Sequence, residues 1–435
     1  MSTTALSVLR QRLSETIGDY ISGTVDSGDT TSLVDAQLAK VPMANEDDAF
    51  VGWYVLITND ASGGSATGNI RLITDYVASS TDITVTEAFS AALASSDTYE
   101  LHRYHPTAKL EAINRAARKA YPDLHAPKID ETLLTDNIMS NSGMETDPAP
   151  SNGWTLTSGG SDWTQVSATS ANAVWHGTYS VKGYKSGAAA QMEQNIYDPR
   201  LAIHEITGKT LHITARIWAT DASSARIRVS FDGSTYTDSS YHGGKGEWEG
   251  PGTIYIDTAI PDDPSEISIW CEVADGKTAW FDQVQASIES IYRYELPSGF
   301  AEPPSQVEIQ ANENKPTGPF IPVTGAYFER NGATTYLRVD EPLPRGRILR
   351  LEGRAYLSSV SADADTMEVS NAQVDLIAEL AAAELFSALA DSTSAEGSEF
   401  YQALAVKHQQ MADRLRMTPG VRLLRGARLR HRFVR

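Results

Sequence analysis

At 435 residues, with 41% hydrophobic and 21% charged residues, the chain is long enough for two or three domains and too apolar for a disordered protein. Its formal net charge of −20 argues against a free nucleic-acid binder, which usually carries a basic surface. No apolar run approaches the roughly 18 residues that a transmembrane helix needs, so no membrane partner is expected. The single cysteine, Cys271, excludes an intrachain disulfide and fits assembly in a reducing cytoplasm.

The first 136 residues predict a helix, an antiparallel meander and a second helix. Apolar residues recur at helical spacing from Leu6 to Ile17, and Gly18 provides a stop. A second helix is predicted to begin at Pro106 and to end before Pro122. Between them, turn-like segments separate four predicted strands, which are GWYVLIT, NIRLITDYV, DITVTEAF and TYELHRY.

The C-terminal flank predicts strands followed by two helices. The strand patterns are SIYRYELP, SQVEIQ, GAYFERNG, TTYLRV and GRILRLEGRAYL, with a hairpin turn at RNG. The helices are NAQVDLIAELAAAELFSALA and SEFYQALAVKHQQMADRLRM. Neither flank alone has a complete core. We therefore predict one discontinuous α+β domain, 1–136 plus 288–413, with 137–287 inserted into it and with 130–137 and 287–296 pairing as a stalk.

The inserted segment has a different composition. Seven of the eight tryptophans fall between residues 150 and 281, and short alternating stretches such as SVKGYK, RIRVSF and EISIWCEV are separated by turn residues. This pattern is typical of a β-sandwich or jelly roll. The fold class predicted for the whole chain is therefore α+β, with an inserted all-β jelly-roll sandwich.

Three motifs in this segment resemble the carbohydrate-binding-module jelly rolls, in this order: NIMSNSGMETDPAPSNGWTL, ANAVWHGTYSVKGYK and TAWFDQVQA. Met144 stands where the opening motif usually has Phe, and Gln283 where the closing strand usually has a second Asp. The resemblance implies a structural calcium ion held by Glu145 and Asp282, with backbone carbonyls nearby. The alternative is that these two residues are surface acids near a shared edge.

Glycan binding requires exposed aromatic rings beside polar groups. The loop-rich stretch YTDSSYHGGKGEWEG offers Tyr236, Tyr241 and Trp248 as candidates. The competing interpretation is that Trp248 closes a sandwich edge and that the other tryptophans fill the core. For any single tryptophan the core is the better prediction, and this includes Trp175, Trp218, Trp270 and Trp280.

No catalytic signature is present. The sequence contains no nucleophile elbow, P-loop, dinucleotide fingerprint or His-x-x-x-His metal motif. His102 and His105, at the end of a predicted strand, are interpreted as surface groups. Carboxylates are plentiful, but nothing marks a glycosidase pair. We therefore predict that the protein is not an enzyme.

The flanks resemble the ring-forming adaptor proteins that tailed bacteriophages place beneath the portal. The resemblance rests on the opening helix TALSVLRQRLSETIGDY, on AINRAARKAYPDL, on the Ala-rich pair AELAAAELFSAL and FYQALAVKHQQMADRLR, and on the basic C-terminus. It implies a structural virion protein of the neck, assembled in the host cytoplasm as a ring of about a dozen copies. Its partners would be the portal, tail or nozzle proteins and copies of itself, with genomic DNA passing through without specific binding.

The tail at 414–435 carries eight arginines and no acid, which suggests a specific acidic partner. Under the adaptor hypothesis it docks on the portal; the alternatives are a disordered tail or direct contact with DNA. The predicted docking residues are Arg422, Arg425, Arg428, Arg430, Arg432, Phe433 and Arg435.

A second hypothesis for the whole protein is a carbohydrate-binding receptor of a phage tail fibre or baseplate. The tryptophan-rich insertion motivates it. A polysaccharide hydrolase with an appended module is a third option, for which the sequence offers no carboxylate pair.

Overall fold

The computed structural model describes residues 3–61, 63–157, 160–168, 174–196, 207–312, 317–392 and 395–418. All the docking residues predicted in the basic tail lie outside this part of the chain. The chain divides into two compact units, the first made of Met1–Ala126 with Ala355–Arg435 and the second of Pro127–Arg354.

Four α-helices occur in the described residues: α1 (Leu6–Ile17), α2 (Pro106–Lys119), α3 (Asn371–Ser392) and α4 (Ala395–Arg416). Short 3-10 helices lie at Ala36–Lys40, Pro42–Asn45, Pro150–Asn152 and Gly160–Asp162. The strands, in chain order, are β1 (Thr4–Ala5), β2 (Ile21–Thr24), β3 (Ser27–Gly28), β4 (Ser32–Val34), β5 (Tyr54–Asn59), β6 (Ile70–Val77), β7 (Asp82–Val85), β8 (Thr98–His102), β9 (Ala126–Leu134), β10 (Thr155–Leu156), β11 (Trp163–Ser167), β12 (Tyr179–Tyr184), β13 (Ala190–Asn195), β14 (Thr210–Ala219), β15 (Ala225–Ser230), β16 (Tyr236–Asp238), β17 (Glu247–Glu249), β18 (Tyr255–Ala259), β19 (Ser268–Val273), β20 (Thr278–Ser287), β21 (Arg293–Glu295), β22 (Gln306–Gln310), β23 (Phe320–Pro322), β24 (Ala326–Asn331), β25 (Thr334–Val339), β26 (Ile348–Ala355) and β27 (Thr366–Met367).

The first unit contains an antiparallel sheet of seven strands in the order β2-β8-β5-β6-β7-β4-β3. The four predicted meander strands are confirmed as β5 to β8, and their apolar side chains form one core with Leu33 and Phe50. Helix α1 also forms where the periodicity predicts it. It ends at Gly18, whose φ of 74° is the left-handed conformation that glycine adopts without strain.

Helix α3 is surrounded by other helices of the same unit. It packs against α1, α2 and α4, and its small residues Ala378, Ala381, Ala382 and Ala383 are buried there. Small-residue helix faces can let copies of a chain pack side by side in a ring, and the Ala-rich pair was one basis of the resemblance to ring-forming adaptors. These alanines are already covered within one chain, so that argument does not apply to them. Within the described residues, no helix is both long and apolar enough to cross a bilayer.

A network of charged side chains is buried in the first unit. The Lys109 ammonium, which is 0% exposed, donates to both carboxylate oxygens of Asp19 at 2.8 and 2.7 Å and to Nδ1 of His102 at 2.9 Å. The opposite imidazole nitrogen lies 3.0 Å from Glu100, which also accepts from Arg10 Nε at 2.8 Å. The prediction that His102 is a surface group is therefore wrong: the strand end that carries it is covered by α1 and α2.

Acidification is expected to destabilise the first unit through His102. Burial lowers the pKa of His102 below its usual value, and the Lys109 charge lowers it further. Below about pH 6.5 the His102 imidazole becomes protonated in the unfolded chain but stays neutral in the folded one. The free energy of unfolding therefore falls by up to about 1.4 kcal/mol for each pH unit of acidification. His102→Gln keeps an acceptor and a donor without titrating. Hydrogen exchange of α1 amides at pH 7.5 and 5.5 should show a larger acid-induced loss of protection in the wild type than in H102Q. An equal loss in both would contradict this role.

The second unit contains a two-layer antiparallel sandwich. One layer has five strands in the order β10-β13-β19-β15-β16, and the other has six, β11-β12-β20-β14-β17 with β18 also paired to β14. The chain passes repeatedly between the layers, and apolar side chains from both fill one core. This observation bears out the all-β sandwich expected from the alternating pattern.

The remaining strands of the second unit form a smaller β structure. Its sheets are β21-β25-β24 and β23-β22-β26-β9, around a core that includes Leu337, Leu349 and Leu351. The predicted stalk is wrong, because β9 lies beside β26 and β21 pairs with β25. The strands between residues 288 and 354 therefore belong to the second compact unit, Pro127–Arg354. The sequence had instead predicted domain boundaries after residues 136 and 287.

Candidate functional site

The tryptophans of the sandwich occupy two kinds of position. Trp154 and Trp163 are buried in the core between the layers. The four predicted to be core lie elsewhere and are only partly buried. They are Trp175, Trp218, Trp270 and Trp280. For the three of them that lie on strands, the immediate neighbours along the strand face the core instead. Strand alternation turns Trp218, Trp270 and Trp280 to the outer faces of their sheets.

On the five-stranded sheet, Trp270 lies at the centre of a row of outward side chains. Its neighbours Ile269 and Cys271 are fully buried in the core, which fixes the direction of Trp270. In register with it stand Glu193 on β13 and Arg228 on β15. The next row, one pleat away, places Gln191, Glu272 and Arg226 side by side.

These rows are joined by ion pairs. Glu272 accepts from Arg226 Nε at 2.8 Å, from Arg228 Nη1 at 2.7 Å and from Gln191 Nε2 at 2.8 Å. Asp238 on the edge strand accepts from the same two arginines, at 2.5 and 2.7 Å. Burial alone would raise the pKa of Glu272, but the hydrogen bonds from Gln191 and Arg226 and the arginine charges lower it below its usual value. The carboxylate is therefore ionised at neutral pH and its neighbours are held in place.

Aromatic rings lie beside these ion-paired arginines and carboxylates, which we call the polar ladder. Tyr236 contacts Trp270 edge to face, with ring centroids 5.9 Å apart. The guanidinium of Arg228 lies 4.2 Å from the Tyr236 centroid, and that of Arg226 lies 4.6 Å from Tyr241. Tyr241 is 40% exposed. We call this set of residues, Gln191, Arg226, Arg228, Tyr236, Asp238, Tyr241, Trp270 and Glu272, the polar-aromatic face.

The three predicted glycan-binding residues do not form one site. Tyr236 and Tyr241 belong to the polar-aromatic face, but Trp248 lies on β17 of the other sheet, in register with Trp218. Sequence proximity was misleading here, because the chain changes sheet between β16 and β17. Trp270 and the two arginines were missed, although their alternation with buried residues places them on the surface.

Glu145 and Asp282 converge on one loop. Asp282 is fully buried, and its carboxylate accepts from the backbone amides of Trp175, His176 and Gln283 at 2.7 to 3.1 Å. Glu145 accepts from the amides of Thr178 and Tyr179 at 3.0 to 3.3 Å.

The surroundings of this pair disfavour two bare negative charges. Burial raises the pKa of Asp282 well above its usual value, and the charge of Glu145 raises it further. Burial also raises the pKa of Glu145. A Cβ at Gly177 would lie 2.1 Å from the Glu145 carboxylate, so only glycine leaves room for this approach. The prediction of two surface acids does not describe Asp282.

The pair fits a hard cation in part. Calcium takes six to eight oxygen ligands, and these two carboxylates can supply some of them while backbone oxygens supply the rest. No cluster of three or more His, Cys, Asp or Glu side chains arranged for a metal occurs in the described part of the chain. Both acids are among the residues that line a cleft of about 1160 Å³.

Comparisons with known proteins give distant structural likenesses. No protein-family model and no curated protein sequence matches the chain. A family 61 carbohydrate-binding module solved with β-1,4-galactotriose is 18% identical, with 35% of this chain and 99% of that chain covered and a TM-score of 0.27. The CBM22-1 xylan-binding domain of Paenibacillus barcinonensis Xyn10C is 13% identical over 36% and 98% of the two chains, with a TM-score of 0.28.

A virion protein also occurs among these likenesses. The enzymatically active domain of tailspike protein 4 of bacteriophage CBA120 is 16% identical over 35% of this chain and 22% of that chain, with a TM-score of 0.27. At such low similarity, what the sandwich binds has to be inferred from its own side chains.

Proposed function

We propose that this protein binds carbohydrate through the polar-aromatic face of the five-stranded sheet. The observation that carries the proposal is the arrangement of Trp270 and Tyr236 beside a ladder of ion-paired arginines and carboxylates. Indole and phenol rings stack on the apolar faces of sugar rings, while charged groups fixed by their neighbours bind sugar hydroxyls.

The ladder is well suited to hydroxyl recognition because its members are pre-positioned. Each arginine is bonded to both Glu272 and Asp238, so little side-chain entropy remains to be lost when a ligand binds. Guanidinium groups donate and carboxylates accept, so together they match the mixed donor and acceptor character of sugar hydroxyls.

This proposal favours the carbohydrate-binding alternative over the adaptor hypothesis. A phage tail fibre or baseplate component would use such a surface to recognise a host glycan. The neck position, the ring of copies, the portal partner and DNA passage remain predictions, and the residues predicted to dock on the portal lie outside the described chain. The expected non-enzymatic role likewise remains a prediction.

Replacing Trp270 with alanine is expected to weaken glycan binding at least tenfold, or by about 1.4 kcal/mol, because a central stacking ring is lost. The full chain would be screened by affinity electrophoresis against soluble polysaccharides, including galactan and xylan, and then titrated with the best ligand. Tyr327→Ala is a matched control, since Tyr327 is 50% exposed in the smaller β structure. Equal affinities of wild type and W270A, or no binding to any polysaccharide, would refute the proposal.

We also propose that calcium stabilises the sandwich by binding at Glu145 and Asp282. The supporting observation is the convergence of a fully buried carboxylate and a second carboxylate on the 175–179 loop, where burial raises the pKa of both groups. Such an ion would be structural, since it would link the opening segment of the sandwich to its closing strand β20.

A further inference from the structure

A second row of outward side chains crosses five strands of the six-stranded sheet. The register places Thr164 opposite Lys182, Lys182 opposite Trp280, Trp280 opposite Trp218 and Trp218 opposite Trp248. Three adjacent strands thus present a tryptophan at the same level. Trp175, in the loop before β12, contacts Trp248 with ring centroids 6.4 Å apart.

These tryptophans are not required to fill the sandwich. The adjacent residues Val181, Phe281 and Ile217 are all 0% exposed and supply the core from the same strands. The solvent face of an antiparallel sheet normally carries polar side chains. We call Trp175, Trp218, Trp248 and Trp280 the tryptophan belt. Two tyrosines on the strands of the same sheet are also exposed, Tyr184 by 47% and Tyr255 by 49%.

The rings of the belt do not lie in one plane. Trp218 and Trp280 meet at 84° with centroids 4.8 Å apart, and Trp175 and Trp248 meet at 60°. When neighbouring rings meet edge to face, a shallow groove is left beside the flat face of an indole ring. Such a surface matches a chain of separate sugar rings better than it matches a broad flat partner.

Cationic groups lie over the belt. The Lys182 ammonium is 5.6 Å from the Trp280 centroid, and the Arg216 guanidinium is 4.4 Å from that of Trp175. Arg216 also lies against Gly250, where a Cβ would be 2.4 Å from Nη1. Arg216 is only 5% exposed, whereas Lys182 is partly exposed, so Lys182 is the cation that favours a ligand with negative charge.

From this geometry we propose that the tryptophan belt is a second carbohydrate-binding surface, specific for sugar chains that bear carboxylate groups. The indole faces stack on the pyranose rings, and Lys182 pairs with the carboxylates. The proposal concerns the sheet opposite to the polar-aromatic face and therefore stands or falls separately from it.

The test compares two forms of one polymer, polygalacturonate and its fully methyl-esterified form, titrated into the full chain by calorimetry. We expect the wild type to bind polygalacturonate at least tenfold more tightly than the ester, with affinity falling as salt is added. Lys182→Glu should weaken polygalacturonate binding at least tenfold and leave binding of the ester unchanged. Trp280→Ala should weaken both.

Tyr327→Ala, in the smaller β structure and 50% exposed, is the matched control and should leave polygalacturonate binding intact. Trp248→Ala, on a short edge strand, provides a second belt variant if W280A fails to fold by circular dichroism. The proposal is overturned if the wild type does not bind polygalacturonate, if K182E binds it as the wild type does, or if W270A rather than the belt variants abolishes binding. Self-association of the chain that W248A disrupts would also overturn it, since the belt would then be a protein interface.

Discussion

Replacing Lys109 with alanine should reduce the free energy of unfolding of the first unit by about 3–5 kcal/mol. The ammonium is fully buried, and its removal leaves the Asp19 carboxylate, itself 2% exposed, without its cationic partner. Burial lowers the pKa of Lys109 to about 8, so the group remains largely charged at neutral pH. The measurement is urea unfolding monitored by hydrogen exchange of α1 and α2 amides.

Two comparisons make this prediction specific. Lys407→Ala, at an exposed position of α4, should change stability by less than about 0.5 kcal/mol. Adding Asp19→Asn to K109A should recover part of the loss, because the unpaired charge is removed. A cost below about 1 kcal/mol for K109A would show that the network is not tightly buried in solution.

Calcium should raise the melting temperature of the second unit by several degrees. An ion at one hundred times its Kd stabilises the folded state by about 2.7 kcal/mol, which for a domain of 150 to 250 residues corresponds to about 5–10 °C. Chelation should reverse the shift. Differential scanning calorimetry of the full chain, with and without millimolar calcium, is the direct measurement.

The variants Asp282→Asn and Glu145→Gln should each abolish most of the calcium-dependent shift, because each removes a charged oxygen ligand. Asp275→Asn is a matched control, since Asp275 is a loop carboxylate of the same sandwich that bonds the amide of Gly187. A shift of equal size in D282N would place the ion elsewhere, and no shift in the wild type would exclude a stabilising ion at this pair.

The sandwich was predictable because alternation with a period of two is visible in short segments. In EISIWCEV the residues Ile267, Ile269 and Cys271 are buried, as the pattern indicates. The same alternation places Trp270 beside Glu272 on the opposite face. The prediction assigned tryptophans to the core by residue type instead of by position, and so missed both outer faces.

Other features depend on residues far apart in the sequence. Lys109 and Asp19 are 90 positions apart, and their pairing follows from how α2 packs against the end of α1. The assignment of the strands at 288–354 to the second unit also depends on long-range pairing. Strand β9 pairs with β26, and the whole sandwich segment lies between these two strands in the sequence. The convergence of Glu145 and Asp282 was anticipated by resemblance, but not the burial of Asp282.

The first unit is built from two segments that are far apart in the sequence, and this affects the order in which the units can fold during synthesis. Strand β1 pairs with β27, and Thr4 bonds the carbonyl of Val369 across 365 positions of sequence. These partners can meet only after Val369 has been synthesised, whereas Pro127–Arg354 is continuous and is complete before the C-terminal segment of the first unit has been made. Vectorial folding would let the second unit form first and shorten the effective loop that the first unit has to close.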